Sequence, residues 1–319
     1  MLTDTPTAPT TGYRARIRRR KRAYNGDWKL AWPFLLPLLV IIGALIAYPF
    51  IYGIILSFQN LLVGGEPTWA GLGNFDKLLI GAQYGPQFRQ SAGISFEYTL
   101  VAEAAEFGLG LGMALLLNQR FPLRVLVRAI FFLPWAVPVI VVGLDWRLMY
   151  DGSPNGLFNM ILGDLGFHGV VQFLSDPGIA LWSVIVAAIW HGTPFWTMMF
   201  LAGLQAVPQE LYEAASIDGS GTMRRFWHVT LPSLRPTIFV TGLLTFIWTM
   251  NNSITLLYML TQGGPENATM TFPMLAYTVG LTGGQNLGVS AAVSVMFLPL
   301  FAVLIYLLTR RLLAPSTAT

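Results

Sequence analysis

The sequence predicts an all-α polytopic membrane protein with six transmembrane helices. Three observations lead there. Hydrophobic residues make up 54% of the chain and charged residues only 11%, less than half the roughly 25% of an ordinary soluble domain. Six apolar runs reach the length of about 20 residues that a membrane helix needs. Lys and Arg are distributed on alternate sides of those runs, as a fixed topology requires. A length of 319 residues would allow two soluble domains, but the apolar content divides the chain into spans and loops.

The chain begins with a polar tail, residues 1–27, whose Thr, Pro and Arg content predicts disorder. It carries Arg14, Arg16, Arg18, Arg19, Arg20, Lys21 and Arg22. A basic run can serve nucleic acid. Here an apolar segment follows at once, so the tail reads as topogenic and lipid-facing, and no nucleic-acid partner is expected. The membrane domain is expected over 28–311, with a short C-terminal tail at 312–319. Its predicted spans are Ala31–Ser57, Tyr98–Leu117, Val125–Leu144, Ile179–Leu201, Pro236–Tyr258 and Val289–Leu308. The first is too long for the h-region of a signal peptide and no small-x-small cleavage site follows it, so it reads as a retained span.

With both termini inside, every Lys and Arg of the 19 falls on the inner side except Lys77, Arg89 and Arg147. The outer loop from Met149 to Gly178 holds Asp151, Asp164 and Asp176 without Lys or Arg. Its Gly-Ser-Pro-Asn-Gly run at 152–156 predicts a turn, followed by a short helix through Leu165.

The second inner loop, 208–232, reads Pro-Gln-Glu-Leu-Tyr-Glu213-Ala214-Ala215-Ser-Ile-Asp218-Gly219, then Val229-Thr-Leu231-Pro232. Glu210, Leu211, Glu213, Ala214 and Ala215 favour a short helix, Gly219 can take a positive φ and turn the chain out of it, and Pro232 marks the approach to the next span. Small alanines let such a helix sit deep in a partner's groove, where Glu213 can meet a basic residue. The loop resembles the EAA loop of ABC-importer permeases: Glu-Ala-Ala, three residues, Gly, nine residues, Ile, one residue, Leu-Pro. Val229 stands where that pattern has Ile, and all other positions fit. Glu103-Ala104-Ala105 also spells the tripeptide, but it lies in a predicted span, Leu109 occupies the glycine offset and no Leu-Pro follows.

Leu260-Thr261-Gln262-Gly263-Gly264-Pro265 is similar to the Leu-Thr-x-Gly-Gly-Pro signature of one permease type in maltose-like carbohydrate importers, and Gly71-Leu-Gly-Asn74-Phe75, Pro194-Phe195 and Leu201-Ala-Gly203-Leu-Gln205 are weaker echoes. The resemblance implies a subunit of the bacterial or archaeal cytoplasmic membrane. It would pair with a second homologous permease, two ATP-binding subunits and an extracytoplasmic solute-binding protein. It also implies that Glu213, Ala214, Ala215, Asp218, Gly219, Leu231 and Pro232 belong to the region gripped by the ATP-binding subunit. The cargo it implies is a carbohydrate, with glycerol 3-phosphate or another polar solute as the alternative.

Polar groups within a span are costly and tend to face a cavity or a partner helix. Ala188, His191, Gly192 and Phe195 share one helical face by their i, i+3, i+4, i+7 spacing. The fifth span carries Trp248, Thr249, Asn251, Asn252 and Ser253. Sugars need amide or hydroxyl partners and an aromatic platform, and both spans supply them. The resemblance places His191, Gly192, Phe195, Thr249, Met250, Asn252 and Ser253 along the substrate pathway. Glu103 and Glu106, one turn apart, have two readings: hydrogen bonding between helices or a near-surface position, and a proton or cation pathway such as a secondary transporter would use.

No Gly-x4-Gly-Lys phosphate loop occurs, and Lys21, Lys29 and Lys77 lack the preceding glycines. A transporter subunit rather than an enzyme, with no ATPase site and no cofactor of its own, is therefore expected. His168, His191 and His228 show no metal-ligand spacing, and the chain has no cysteine for a disulfide or thiolate site.

Overall fold

A computed structural model describes residues 32–313. The basic tail 1–27 and residues 314–319 lie outside the described residues. The chain divides into two compact units between Ile55 and Leu56. The first holds all but the last two residues of the apolar helix α1, Trp32–Ser57. Within it Gly43–Ala47 form one π-helical turn, closed by Tyr48 N–H donating to Gly43 O.

The second unit opens with a two-stranded hairpin, β1 (Gln59–Asn60) and β2 (Thr68–Trp69), antiparallel with Gln59 opposite Trp69. Helices follow: α2 (Gly73–Leu79), α3 (Gly85–Leu117), α4 (Arg124–Ala136), α5 (Val139–Met149), α6 (Leu157–Asp164), α7 (Ala180–Gln205) and α8 (Gln209–Ile217). Then come α9 (Thr222–Leu260), α10 (Phe272–Thr282), α11 (Leu287–Met296) and α12 (Leu298–Leu313). Among the described residues, five stretches of helix are long and apolar enough to cross a membrane, or six if the bent pair α4–α5 counts as one span.

Three expectations about the spans are corrected. The third was expected as one helix over Val125–Leu144; α4 and α5 instead meet at a bend of 91°. Pro138 is the cause, because a proline pushes the residue before it out of the helical region. Val137 is extended (φ −75°, ψ 131°) and Pro138 itself has ψ 134°. The helix that carries the second span begins at Gly85, ahead of Tyr98. At about 1.5 Å per residue its 33 residues reach about 50 Å, well beyond an apolar slab of about 30 Å. The fifth was expected to begin at Pro236, with Pro232 as a boundary, yet helix runs from Thr222 to Leu260. One π turn, Phe226–Thr230, makes room for Pro232: Leu231 N–H donates to Phe226 O, one residue further back than in an α-helix.

The long helices α3 and α7 pack closely because small residues let them. A Cβ on Gly110 would lie 2.6 Å from Trp196 Cβ and 3.2 Å from Thr197 N. Around this contact Phe107 meets Trp196 and Phe200 edge-on, at 5.7 Å and 5.5 Å between ring centroids. Gly143 brings α5 equally close to Met259 of α9.

The shorter motifs have structural work. Asn74 Nδ2 donates to Ser57 O (3.0 Å) and Gln59 O (2.8 Å), tying α2 to the hairpin. After α9 the Leu-Thr-x-Gly-Gly-Pro segment makes the expected sharp bend. Gln262 and Gly263 have φ of 54° and 87°, and the Gly264–Pro265 peptide is cis. Thr261 and Thr269 hydroxyls close it at 2.6 Å, and Thr269 Oγ1 also donates to Gly264 O at 2.7 Å. The loop between Met149 and Gly178 has its predicted turn and short helix α6, pinned by Asn159 Nδ2 donating to Asp151 O and Val171 O.

Candidate functional site: a polar-aromatic cavity and an exposed helix

The break between α4 and α5 opens onto a cavity of about 550 Å³ in the second unit. Its walls are the break itself (Trp135 to Val139), one face of α7, one face of α9, and Tyr98 and Glu106 of α3. The α7 face is the one the spacing selects: Ala188, His191, Gly192 and Phe195 all line the space.

From α9 come Leu244, Thr245, Trp248, Thr249, Asn252, Ser253 and Leu256, again spaced along one side of a helix. Of the four residues expected along the pathway from this helix, Thr249, Asn252 and Ser253 line the cavity. Met250 does not. It is fully buried on the opposite side of α9, packed in the core with Phe272 and Met274. Helical geometry explains the correction: the lining residues share an arc of α9 centred near Asn252, and residue 250, two positions before it, lies about 200° round the axis and faces away from that arc. The sequence reading did not assign Trp135, Tyr98, Glu106 or Thr245 to this wall, though Pro138, a break signal beside Trp135, was available in it.

The polar groups differ in how they are engaged. Glu103 accepts hydrogen bonds from Thr245 Oγ1 (2.8 Å) and Thr249 Oγ1 (3.0 Å), which ties α3 to α9. That is the inter-helix reading of this carboxylate. His191 Nε2 donates to Val137 O at 3.3 Å, bridging α7 to the extended residue at the break. Ser253 shares a hydroxyl contact of 3.3 Å with Thr271. The Asn252 side chain makes no hydrogen bond among the described residues and is exposed, so its amide is free for a solute. Trp135 stacks on Phe195 (5.8 Å, 28° between planes), and the Trp248 ring is 69% exposed. The wall therefore offers broad aromatic faces beside an unengaged amide, a combination suited to a hydroxylated ring with an apolar face.

The loop 208–232 folds as a separate feature. None of the residues of α8 is buried, although Leu211 and Ile217 are apolar and Ile217 is 87% exposed. Glu213, Ala214, Asp218 and Gly219 are exposed, and Ala215, Leu231 and Pro232 partly so. The helix closes in a Schellman arrangement: Ser220 N–H donates to Ala215 O (2.9 Å) and Gly219 N–H to Ser216 O (3.1 Å). Gly219 takes φ 71° at the position where this turn needs it. The offset between Ala215 and the glycine is thus the offset between the last turn of a helix and its left-handed terminator. Tyr212 Oη to Thr230 Oγ1 (3.1 Å) and Arg225 Nη1 to Ser216 Oγ (3.0 Å) moor α8 to the start of α9.

Residues 107–316 match the family described as "Binding-protein-dependent transport system inner membrane component". The chain belongs to this family. Among curated relatives, the permease is 36% identical over 280 residues to the trehalose/maltose transport system permease protein MalF of Thermococcus litoralis, covering 88% of this chain and 92% of that one. It is 34% identical to the sulfoquinovosyl glycerol transport system permease protein SmoG of Agrobacterium fabrum, over 86% and 87% of the two chains. Among solved structures, a chain of a bacterial ABC transporter involved in import of the acidic polysaccharide alginate superposes with a TM-score of 0.77 at 21% identity, covering 93% of the permease and 99% of that chain. That likeness places the permease in the same fold, a multi-pass helical membrane subunit.

Proposed function

We propose that this permease is one of two homologous membrane subunits of an ATP-driven importer, and that it passes a carbohydrate delivered by a solute-binding protein. The observation that carries the reading is the pairing of two features in one unit: a cavity walled by Trp135, Phe195, Trp248 and Asn252, and an exposed helix α8 moored to α9, which supplies one wall. Two ATP-binding subunits supply the energy, since the sequence has no phosphate loop. Each grips an α8-type helix, with Glu213 paired to a basic group of the groove and Leu211 and Ile217 in its apolar floor. Movement of α8 then reaches the cavity through α9. Nucleotide shifts the equilibrium only as far as the ATP-binding subunits favour one cavity state over the other. The Lys and Arg distribution supports both termini on the cytoplasmic side. The reading draws further support from relatives at or above 30% identity whose names are those of sugar transport permeases.

The test is uptake by the assembled complex. Asn252→Ala and Phe195→Ala are expected to lower sugar uptake at least tenfold while the subunits still co-purify. Unchanged uptake in both variants would remove the cavity from the pathway.

A further inference from the structure

Glu106 is the acid the transport scheme leaves unused. It lies on α3 and is only 4% exposed, yet it lines the cavity. It sits against the bare backbone of Gly192 on α7, where an added Cβ would collide with its carboxylate. Glycine at 192 is what admits this carboxylate to the wall. Its neighbour Glu103 is engaged by two threonines; Glu106 has no such threonine pair.

Neither Lys nor Arg is among the residues lining the cavity, and Glu106 is the single acid there. His191 already donates its Nε2 proton to Val137 O. An anionic group entering this space would be desolvated with no Lys or Arg of this subunit's wall to meet it. A hydroxyl or ammonium group would find an acceptor in Glu106.

We infer that Glu106 is a specificity-determining residue: it accepts a hydrogen bond from a hydroxyl or amino group of the solute, and it makes the pathway refuse sugars bearing a phosphate, sulfonate or carboxylate. The inference rests on the carbohydrate reading above and narrows it to neutral or amino sugars. Relatives of the same fold are named for acidic cargo, alginate and sulfoquinovosyl glycerol, so the family fold does not itself set the sign of charge carried. Within this subunit, the wall residues are where that choice can be made.

The experiment uses the complete membrane complex in lipid nanodiscs, free of sugar detergents, of nucleotide and of the solute-binding protein, so that only the cavity selects. Saturation-transfer NMR reports binding of maltose, trehalose, cellobiose and diacetylchitobiose, and of the same sugars phosphorylated on a primary hydroxyl. The wild type should bind at least one neutral sugar, with its phosphorylated form at least tenfold weaker. Glu106→Gln, which keeps the shape and an acceptor, should narrow that gap to about threefold or less; Glu106→Leu should abolish the neutral signal in complexes that still co-purify. Equal binding of neutral and phosphorylated sugars by the wild type overturns the inference, as does a gap that Glu106→Gln leaves unchanged. The second outcome holds even if Glu106→Leu fails to assemble. Binding that falls in Asn252→Ala but ignores Glu106 removes only the role of Glu106. No sugar signal in the wild type removes the carbohydrate reading, and this inference with it.

Discussion

Gly219 terminates α8 at φ 71°, and a Cβ built on it would meet nothing within 4 Å. Substitution there is therefore a test of backbone conformation alone. A residue with a Cβ in the left-handed region costs roughly 1–2 kcal/mol. At about 1.4 kcal/mol per tenfold, that lowers the population of the terminated helix by roughly 5- to 30-fold. Asn tolerates the conformation best and a β-branched residue worst, so the order of damage should be Gly219→Asn, then Gly219→Ala, then Gly219→Val. The assay is solute-stimulated ATP hydrolysis and uptake by the reconstituted complex, with thermal unfolding of the membrane subunit alongside. Coupling should fall in that order while the unfolding temperature barely moves, because Gly219 touches no core residue. Wild-type coupling in Gly219→Val, or equal damage from Asn and Val, would refute the argument that the turn positions the helix for its partner.

Two other substitutions separate packing from transport. Gly110→Ala should destabilise the subunit by about 1–3 kcal/mol, since Trp196 and the Thr197 backbone leave no room; Gly112→Ala, with open space, should be neutral, and a thermal-shift comparison of the two checks this. Met250→Ala should cost about 2–5 kcal/mol through the cavity it leaves in the core, with the affinity of the remaining folded complex for sugar unchanged; a loss of affinity matching that of Asn252→Ala would put Met250 back in the pathway.

Much of this architecture was legible because apolar runs and their flanking charges are long, redundant signals. The fourth span and its cavity face were readable from the spacing of Ala188, His191, Gly192 and Phe195, since helical period converts directly to a shared side. The break at Val137–Pro138 was hidden because prolines 134 and 138 sit among Leu, Trp, Ala and Val, and a hydropathy count does not register geometry. The early start of α3 was missed for the opposite reason: Gln87, Arg89, Gln90 and Ser91 are polar, although Ser91 and Ser95 are buried against the rest of the unit. Met250 was misplaced because counting back from a motif fixes sequence position without fixing which side of the helix a residue occupies. Glu106 was visible as an intramembrane acid, but its access to the cavity depends on the glycine it faces across two helices, a contact no local pattern encodes.

The central claim is that 208–232 is a cytoplasmic handle held by an ATP-binding subunit. The chain has no cysteine, so Ala214→Cys, on the exposed side of α8, introduces the single thiol of this subunit. A short bifunctional reagent in inside-out membrane vesicles should join it to an ATP-binding subunit, with a yield that changes when ATP is added. Labelling of the same thiol by a membrane-impermeant maleimide from outside intact cells, with no crosslink to any ATP-binding subunit, would contradict the account.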